Sequence, residues 1–170
     1  PDLEYIEWTV QAQQVELLLG LPPDALFVAI LAGRQAGKTY IAVANIVADA
    51  VRSPGREFGI VSLDFKASRD PEKALAALID PRWGVRRNKT DRAWVFPHGA
   101  QIIFRSVEAI NSLRGPSLKA VLLDEAAAYM ARTEDAFLTT VGCGAAAKNF
   151  RIFLATTPKR ENAFIRKIDA

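Results

Sequence analysis

The sequence predicts an α/β fold, a mainly parallel sheet with helices on both faces and a hairpin insertion. Three observations carry this. Short continuous apolar runs alternate with segments of helical periodicity, the pattern of strands buried on both faces between covering helices. A glycine-bearing loop, Ala32-Gly33-Arg34-Gln35-Ala36-Gly37-Lys38-Thr39, stands between one such run and one such helix. A second run, Ala120-Val121-Leu122-Leu123, ends in two adjacent carboxylates, Asp124-Glu125.

Taken in order, a helix is expected near residues 9–19, with Pro22-Pro23-Asp24 as the break after it. Ala25 to Leu31 is continuously apolar and reads as a buried strand. Residues 38–51 have helical spacing, because Ile41, Ala44, Ala48 and Val51 recur on one face, and Ser53-Pro54-Gly55 ends them. Gly59 to Leu63 is a second apolar strand, and Pro71 to Ile79 a second helix with proline at its start and Pro81 beyond its end. Ala93 to Phe96 and Gln101 to Arg105 flank Pro97-His98-Gly99-Ala100, whose proline and glycine suit a hairpin turn. Ala120 to Leu123 then predicts a strand, Glu134 to Val141 a helix capped by Thr133, and Arg151 to Thr156 a last strand. No internal repeat or low-complexity tract interrupts the series.

With 170 residues, 50% hydrophobic and 24% charged, the chain suits one folded domain with a sizeable core. Its formal charge of +3 is too small to point to a polyanion. One cysteine, Cys143, excludes an internal disulfide, and with one histidine, His98, no Cys/His zinc cage can form; both residues read as structural. No apolar run reaches the roughly 18 to 20 residues that cross a bilayer, so a soluble, cytosolic protein without membrane contact is expected. The chain opens on Pro1 and closes on Ile168-Asp169-Ala170 without a terminating signal, which points to a segment of a longer polypeptide.

A loop between a strand and a helix presents backbone N–H groups and a helix N-terminus to a polyphosphate. Here Ala32 stands where the usual P-loop has its first glycine, which moves the expected tight turn to Gly33. Lys38 is expected on the β and γ phosphates and Thr39 on magnesium, while Gly37 lets the backbone approach closely. The strand ending in Asp124-Glu125 carries acids to its C-terminal edge, where open α/β sheets bind ligands. Asp124 is expected to hold magnesium through a water, and Glu125 to orient and deprotonate the attacking water. A solvated helix start is the plain alternative for the loop. Charge at a helix N-terminus is the alternative for the acids, and explains one carboxylate better than two. ATP is expected over GTP, on the reading that the sequence has no Asn-Lys-x-Asp segment of the kind that reads guanine.

Four local matches resemble the ATPase domain of the large terminase subunit, the DNA-packaging motor of tailed bacteriophages. They are Gly33 to Thr39, Leu113-Arg114-Gly115 ahead of the acid pair, Thr156-Thr157-Pro158, and the hairpin from Phe96 to Phe104. Together they cover nearly the whole chain. The resemblance implies a P-loop NTPase of the additional-strand, catalytic-glutamate type. It implies ATP hydrolysis driving double-stranded DNA into a procapsid, in the cytoplasm of the infected bacterium. Portal protein, small terminase subunit and a ring of further copies are the implied partners. Position by position it implies that Arg34 contacts phosphate, with Gly33, Gln35 and Ala36 around it. Arg114 would reach a neighbouring subunit's ATP as an arginine finger, and Thr157 would sense the γ-phosphate. Gln14, in Gln13-Gln14 after Trp8-Thr9, would read adenine. A nuclease domain is implied outside this chain. The plain alternatives are a surface arginine at 114, a strand-ending turn at 157 and a solvated helix face at 14. Arg82, Arg86, Arg87, Lys89 and Arg92 read as a solvated basic face. Two rivals remain: another nucleic-acid ATPase such as a helicase, and an ATP-binding assembly scaffold without turnover, against which Glu125 argues.

Overall fold

The computed structural model describes residues 26–33, 35–157 and 162–169. The expected helix over 9–19, and with it Gln14, lies outside the described residues, as do Arg34 and Pro158. Seven strands form one sheet: β1 Phe27–Leu31, β2 Glu57–Ser62, β3 Arg86–Asn88, β4 Ala93–Val95, β5 Gln101–Ser106, β6 Leu118–Asp124 and β7 Arg151–Thr156. The helices are α1 Lys38–Arg52, α2 Arg69–Leu78, α3 Thr133–Gly144 and α4 Ala163–Asp169. Strand order is β1-β7-β6-β2-β5-β4-β3. The pairs from β1 to β5 in that order are parallel, and β4 and β3 extend the sheet antiparallel.

β7 lies between β1, which feeds the glycine-bearing loop, and β6, which carries the acids. It stands where the resemblance implied an additional strand. A ligand site at the C-terminal edge therefore spans three adjacent strands.

Alternation along the strands sorts the core into two layers. Phe58, Ile60, Ala120, Leu122, Phe153 and Ala155 face α1 and α2, packing on Ile41, Val43, Ala44, Val47 and Leu75. Val61, Val121, Leu123 and Leu154 face the other way, onto Ile110, Leu113, Tyr129, Ala136, Cys143 and Ile165. Helices thus cover both faces, as predicted.

Four local expectations change. The sequence does not mark β3, because Arg86, Arg87 and Asn88 are all exposed and show no apolar alternation; pairing with β4 alone makes them a strand. Three short 3-10 segments, Pro81–Trp83, Val107–Leu113 and Ala126–Arg132, and α4 were likewise unmarked by helical periodicity. Pro71 is the third residue of α2 rather than its start. Thr133 is the first residue of α3 and not its cap: its hydroxyl is 3.0 Å from Ala126 O and 2.9 Å from Met130 O, so it ties the helix to the preceding turn. Cys143 is a buried free thiol, and the His98 ring stacks on Phe96 in the hairpin.

Candidate nucleotide and metal site

β1 leads into the loop with Ala32 N still donating to Thr156 O on β7, at 3.2 Å. The turn into α1 uses left-handed backbone at Gln35 (φ 62°) and Gly37 (φ 75°), not at Gly33. Glycine takes this conformation without a steric penalty and so belongs at the helix start; at Gln35 the same geometry is strained. α1 has no side-chain cap and no acidic residue in its first turn. Its first N–H groups and the positive end of its dipole are therefore open to an anion. Gly33, Gln35 and Ala36 are exposed around that opening.

Lys38 and Thr39, the first two residues of α1, meet the acids at the end of β6. Thr39 Oγ1 donates to Asp124 Oδ1 at 2.8 Å. Lys38 Nζ lies 2.7 Å from Glu125 Oε1, the lysine side chain 6% exposed and the glutamate 43%. A continuing strand would send Glu125 to the sheet face opposite Asp124. Instead its backbone is left-handed, φ 48° and ψ 44°, which breaks the alternation and turns both carboxylates toward α1. Glu125 Oε2 also accepts from Thr157 N, at 3.4 Å. Thr156 Oγ1 accepts from Ala127 N at 2.9 Å, tying the end of β7 to the turn after the acids. Two residues that no motif marked hold this geometry from behind. The buried Tyr129 hydroxyl sits 2.8 Å from Val61 O and 2.9 Å from Asp124 O, bridging β2 and β6. Asn162 Nδ2 donates to Thr133 Oγ1 at 2.7 Å while its Oδ1 accepts from Ile165 N, joining α4 to α3.

Burial pushes the Asp124 carboxyl up to about 6. The hydrogen bond from Thr39 opposes this, the Glu125 charge adds to it, and the Lys38 charge opposes it. The native state therefore keeps this proton to higher pH than the unfolded chain does. Its stabilising contribution is complete below about pH 4 and is lost as pH rises through about 6. On the scale of 1.36 kcal/mol per pH unit the loss is about 3 kcal/mol at most. In chelator, without nucleotide, Asp124→Asn is expected to raise the urea midpoint at pH 7.5, by about 1–3 kcal/mol in stability, and to match wild type near pH 4. An equal gain at both pH values would refute this cause.

Arg114 is exposed, its Nη2 donating to Asn111 Oδ1 at 2.7 Å. The expectation that no Asn-Lys-x-Asp segment is present is corrected: Asn88-Lys89-Thr90-Asp91 match the letters of guanine readers, so setting GTP aside rests on their placement. They form the turn between β3 and β4, where Asn88 Nδ2 donates to Asp91 Oδ2 and Asp91 N to Asn88 Oδ1. β3 and β1 are opposite edges of the sheet, about 29 Å apart at strand spacing. Of the scattered basic residues, Arg82 pairs with Asp80, Arg87 with Glu72, and Arg92 lies over the Phe65 ring.

Residues 29–168 match the model of the family described as terminase large subunit, T4likevirus-type, N-terminal. No curated protein matches the sequence. Among solved structures, the HK97 bacteriophage large terminase aligns with a TM-score of 0.78 at 14% identity, over 95% of this chain and 36% of that one. The large terminase of a thermophilic bacteriophage aligns at 0.73 and 16% identity, over 95% of this chain and 43% of that one. The chain thus spans less than half of either full terminase. A SWI2/SNF2 ATPase core from Sulfolobus solfataricus, in complex with dsDNA, aligns at 0.60 and 14% identity, over 94% of this chain and 35% of that one. The fold by itself is therefore common to large terminases and a SWI2/SNF2 ATPase core. The family match separates them: the chain belongs to the terminase large subunit family, T4likevirus type, in its N-terminal part.

Proposed function

We propose that this chain hydrolyses ATP and that hydrolysis drives double-stranded DNA into a viral procapsid. The observation that carries the reading is the meeting of Lys38 with Glu125 and of Thr39 with Asp124 at the N-terminus of an uncapped helix. Without nucleotide, Lys38 neutralises Glu125. A triphosphate entering the loop takes Lys38 onto its β and γ oxygens and frees Glu125 to orient and deprotonate water. The ion pair thus keeps the base engaged until substrate arrives.

The donors at the site are all oxygen, a hydroxyl and a carboxylate 2.8 Å apart, which suits magnesium; Thr39 and Asp124 would hold it. Bound there, the cation would offset charge on the phosphate oxygens. Thr157, whose N–H reaches Glu125 and whose buried hydroxyl has no partner, is proposed to sense the γ-phosphate. Family resemblance supports Arg34 on phosphate, Gln14 on adenine and Arg114 on a neighbour's ATP. It equally supports a ring of copies working with portal protein and small terminase subunit in the bacterial cytoplasm. Nuclease activity is assigned to a domain outside these residues. No helix among the described residues is long and apolar enough to cross a membrane.

Binding of a fluorescent ATP analogue tests the core of this. Lys38→Ala is expected to weaken it by about 10- to 100-fold, as loss of a charge-assisted contact worth about 1.5–3 kcal/mol would. Unchanged affinity would overturn the assignment.

A further inference from the structure

Among the described residues three side-chain polar atoms are buried without a hydrogen-bond partner: Ser62 Oγ, Trp94 Nε1 and Thr157 Oγ1. Two of the three flank the acids. β2 and β7 are the neighbours of β6; Ser62 is the last residue of β2, and Thr157 follows the last residue of β7. The parallel register of β2 on β6 ends at Val61 opposite Leu123. Continued by one step, that register would set Ser62 beside Asp124, about 4.8 Å away at ordinary strand spacing. Alternation also gives them one face. Phe58 and Ile60 share the layer under α1 with Ala120 and Leu122, so Ser62 and Asp124 lie on the side from which Thr39 reaches Asp124.

Ser62 is 0% exposed, and, Thr157 apart, the other buried hydroxyls among the described residues are partnered. Ser68 donates to Phe65 O, Thr133 to Ala126 O and Thr140 to Ala136 O, while Thr156 accepts from Ala127 N. A buried hydroxyl left unpaired is a net cost that alanine would remove. Its position beside the metal-holding carboxylate supplies a reason for it.

Resting on the ATPase reading above, we propose that Ser62 is a positioning residue of the nucleotide site, its hydroxyl holding, beside Asp124, a water in the shell of the nucleotide's magnesium. Magnesium keeps several of its waters and takes one or two carboxylates in sites of this kind. The described residues offer no cluster of three His, Cys, Asp or Glu side chains, so those waters need other acceptors. Asp124 Oδ1 is already engaged by Thr39. A serine hydroxyl has one hydrogen to donate and lone pairs to accept with. It can donate to the remaining Asp124 oxygen and accept from the water, fixing both.

The test is binding of a fluorescent ATP analogue to the full chain across a magnesium titration, for wild type, Ser62→Ala and Lys38→Ala. Ser62→Ala is expected to need about fivefold more magnesium for the half-maximal gain in affinity, the worth of one hydrogen bond. Its affinity in EDTA should equal wild type, and its melting temperature in EDTA should be no lower. A wild-type magnesium requirement in Ser62→Ala would overturn the proposal. So would a lowered melting temperature or failure to fold, which would mark the hydroxyl as structural. Wild-type binding indifferent to both magnesium and Lys38→Ala would instead overturn the ATPase reading on which the proposal rests.

Discussion

Glu125→Gln is expected to lower ATP hydrolysis by at least about 100-fold, and up to about 10,000-fold, the usual contribution of a positioned general base. ATP binding should survive and tighten modestly. The amide is nearly isosteric, so the left-handed turn at position 125 and the contacts of Thr39 with Asp124 persist. Lys38 no longer has a carboxylate at 2.7 Å competing with the phosphates. The same loss leaves a lysine side chain that is only 6% exposed without its counter-charge. The nucleotide-free variant should therefore be less stable, by about 1 kcal/mol given how exposed the glutamate is. ATP should restore that loss. Phosphate release at the wild-type rate in the assembled motor would remove Glu125 from the chemistry.

Arg114→Ala is expected to cost about 1,000-fold or more in turnover of the assembled ring while leaving nucleotide affinity of the isolated chain unchanged. The separation follows from placement. Arg114 is exposed on the segment between the Val107–Leu113 turn and β6, and its guanidinium bonds to Asn111. A guanidinium beside the γ-phosphate offsets charge that develops in transfer, and one supplied by a neighbour acts only on assembly. Mixing Arg114→Ala with Lys38→Ala subunits should restore part of the activity. The first has an intact nucleotide site and the second an intact arginine, so their shared interface is complete. Rings proven to mix yet inactive would rule out action in trans. An affinity loss in isolated Arg114→Ala would place the residue at its own site.

Much of the candidate site is legible in the sequence because its signals are local. A run of apolar residues reports a buried strand wherever it lies, and Gly37-Lys38-Thr39 between strand and helix reports a phosphate loop, since the turn and the open helix N-terminus are made by neighbours in the chain. The acids Asp124-Glu125 were marked by their position at the end of such a run. The α/β class, the strand alternation and the main candidate residues follow from these patterns. Boundaries moved by a few residues where pairing extended a strand, as at Glu57 and Leu118, which continue β2 and β6 beyond their apolar centres.

The remainder required contacts between distant parts of the chain. β3 carries no apolar pattern and is a strand only because β4 offers it hydrogen-bonding partners. Tyr129 reads as an ordinary aromatic until its hydroxyl is seen joining Val61 to Asp124. Ser62 has no motif at all, and is singled out only by sheet order and by the absence of a partner for its hydroxyl. The placement of β7 between β1 and β6 and the left-handed backbone at Glu125 are likewise outcomes of packing. Residue types and their spacing thus determined which groups are available for phosphate chemistry. Only the tertiary structure decided that Lys38 and Glu125 face each other, because a strand's alternation alone would have set the two acids on opposite sides of the sheet.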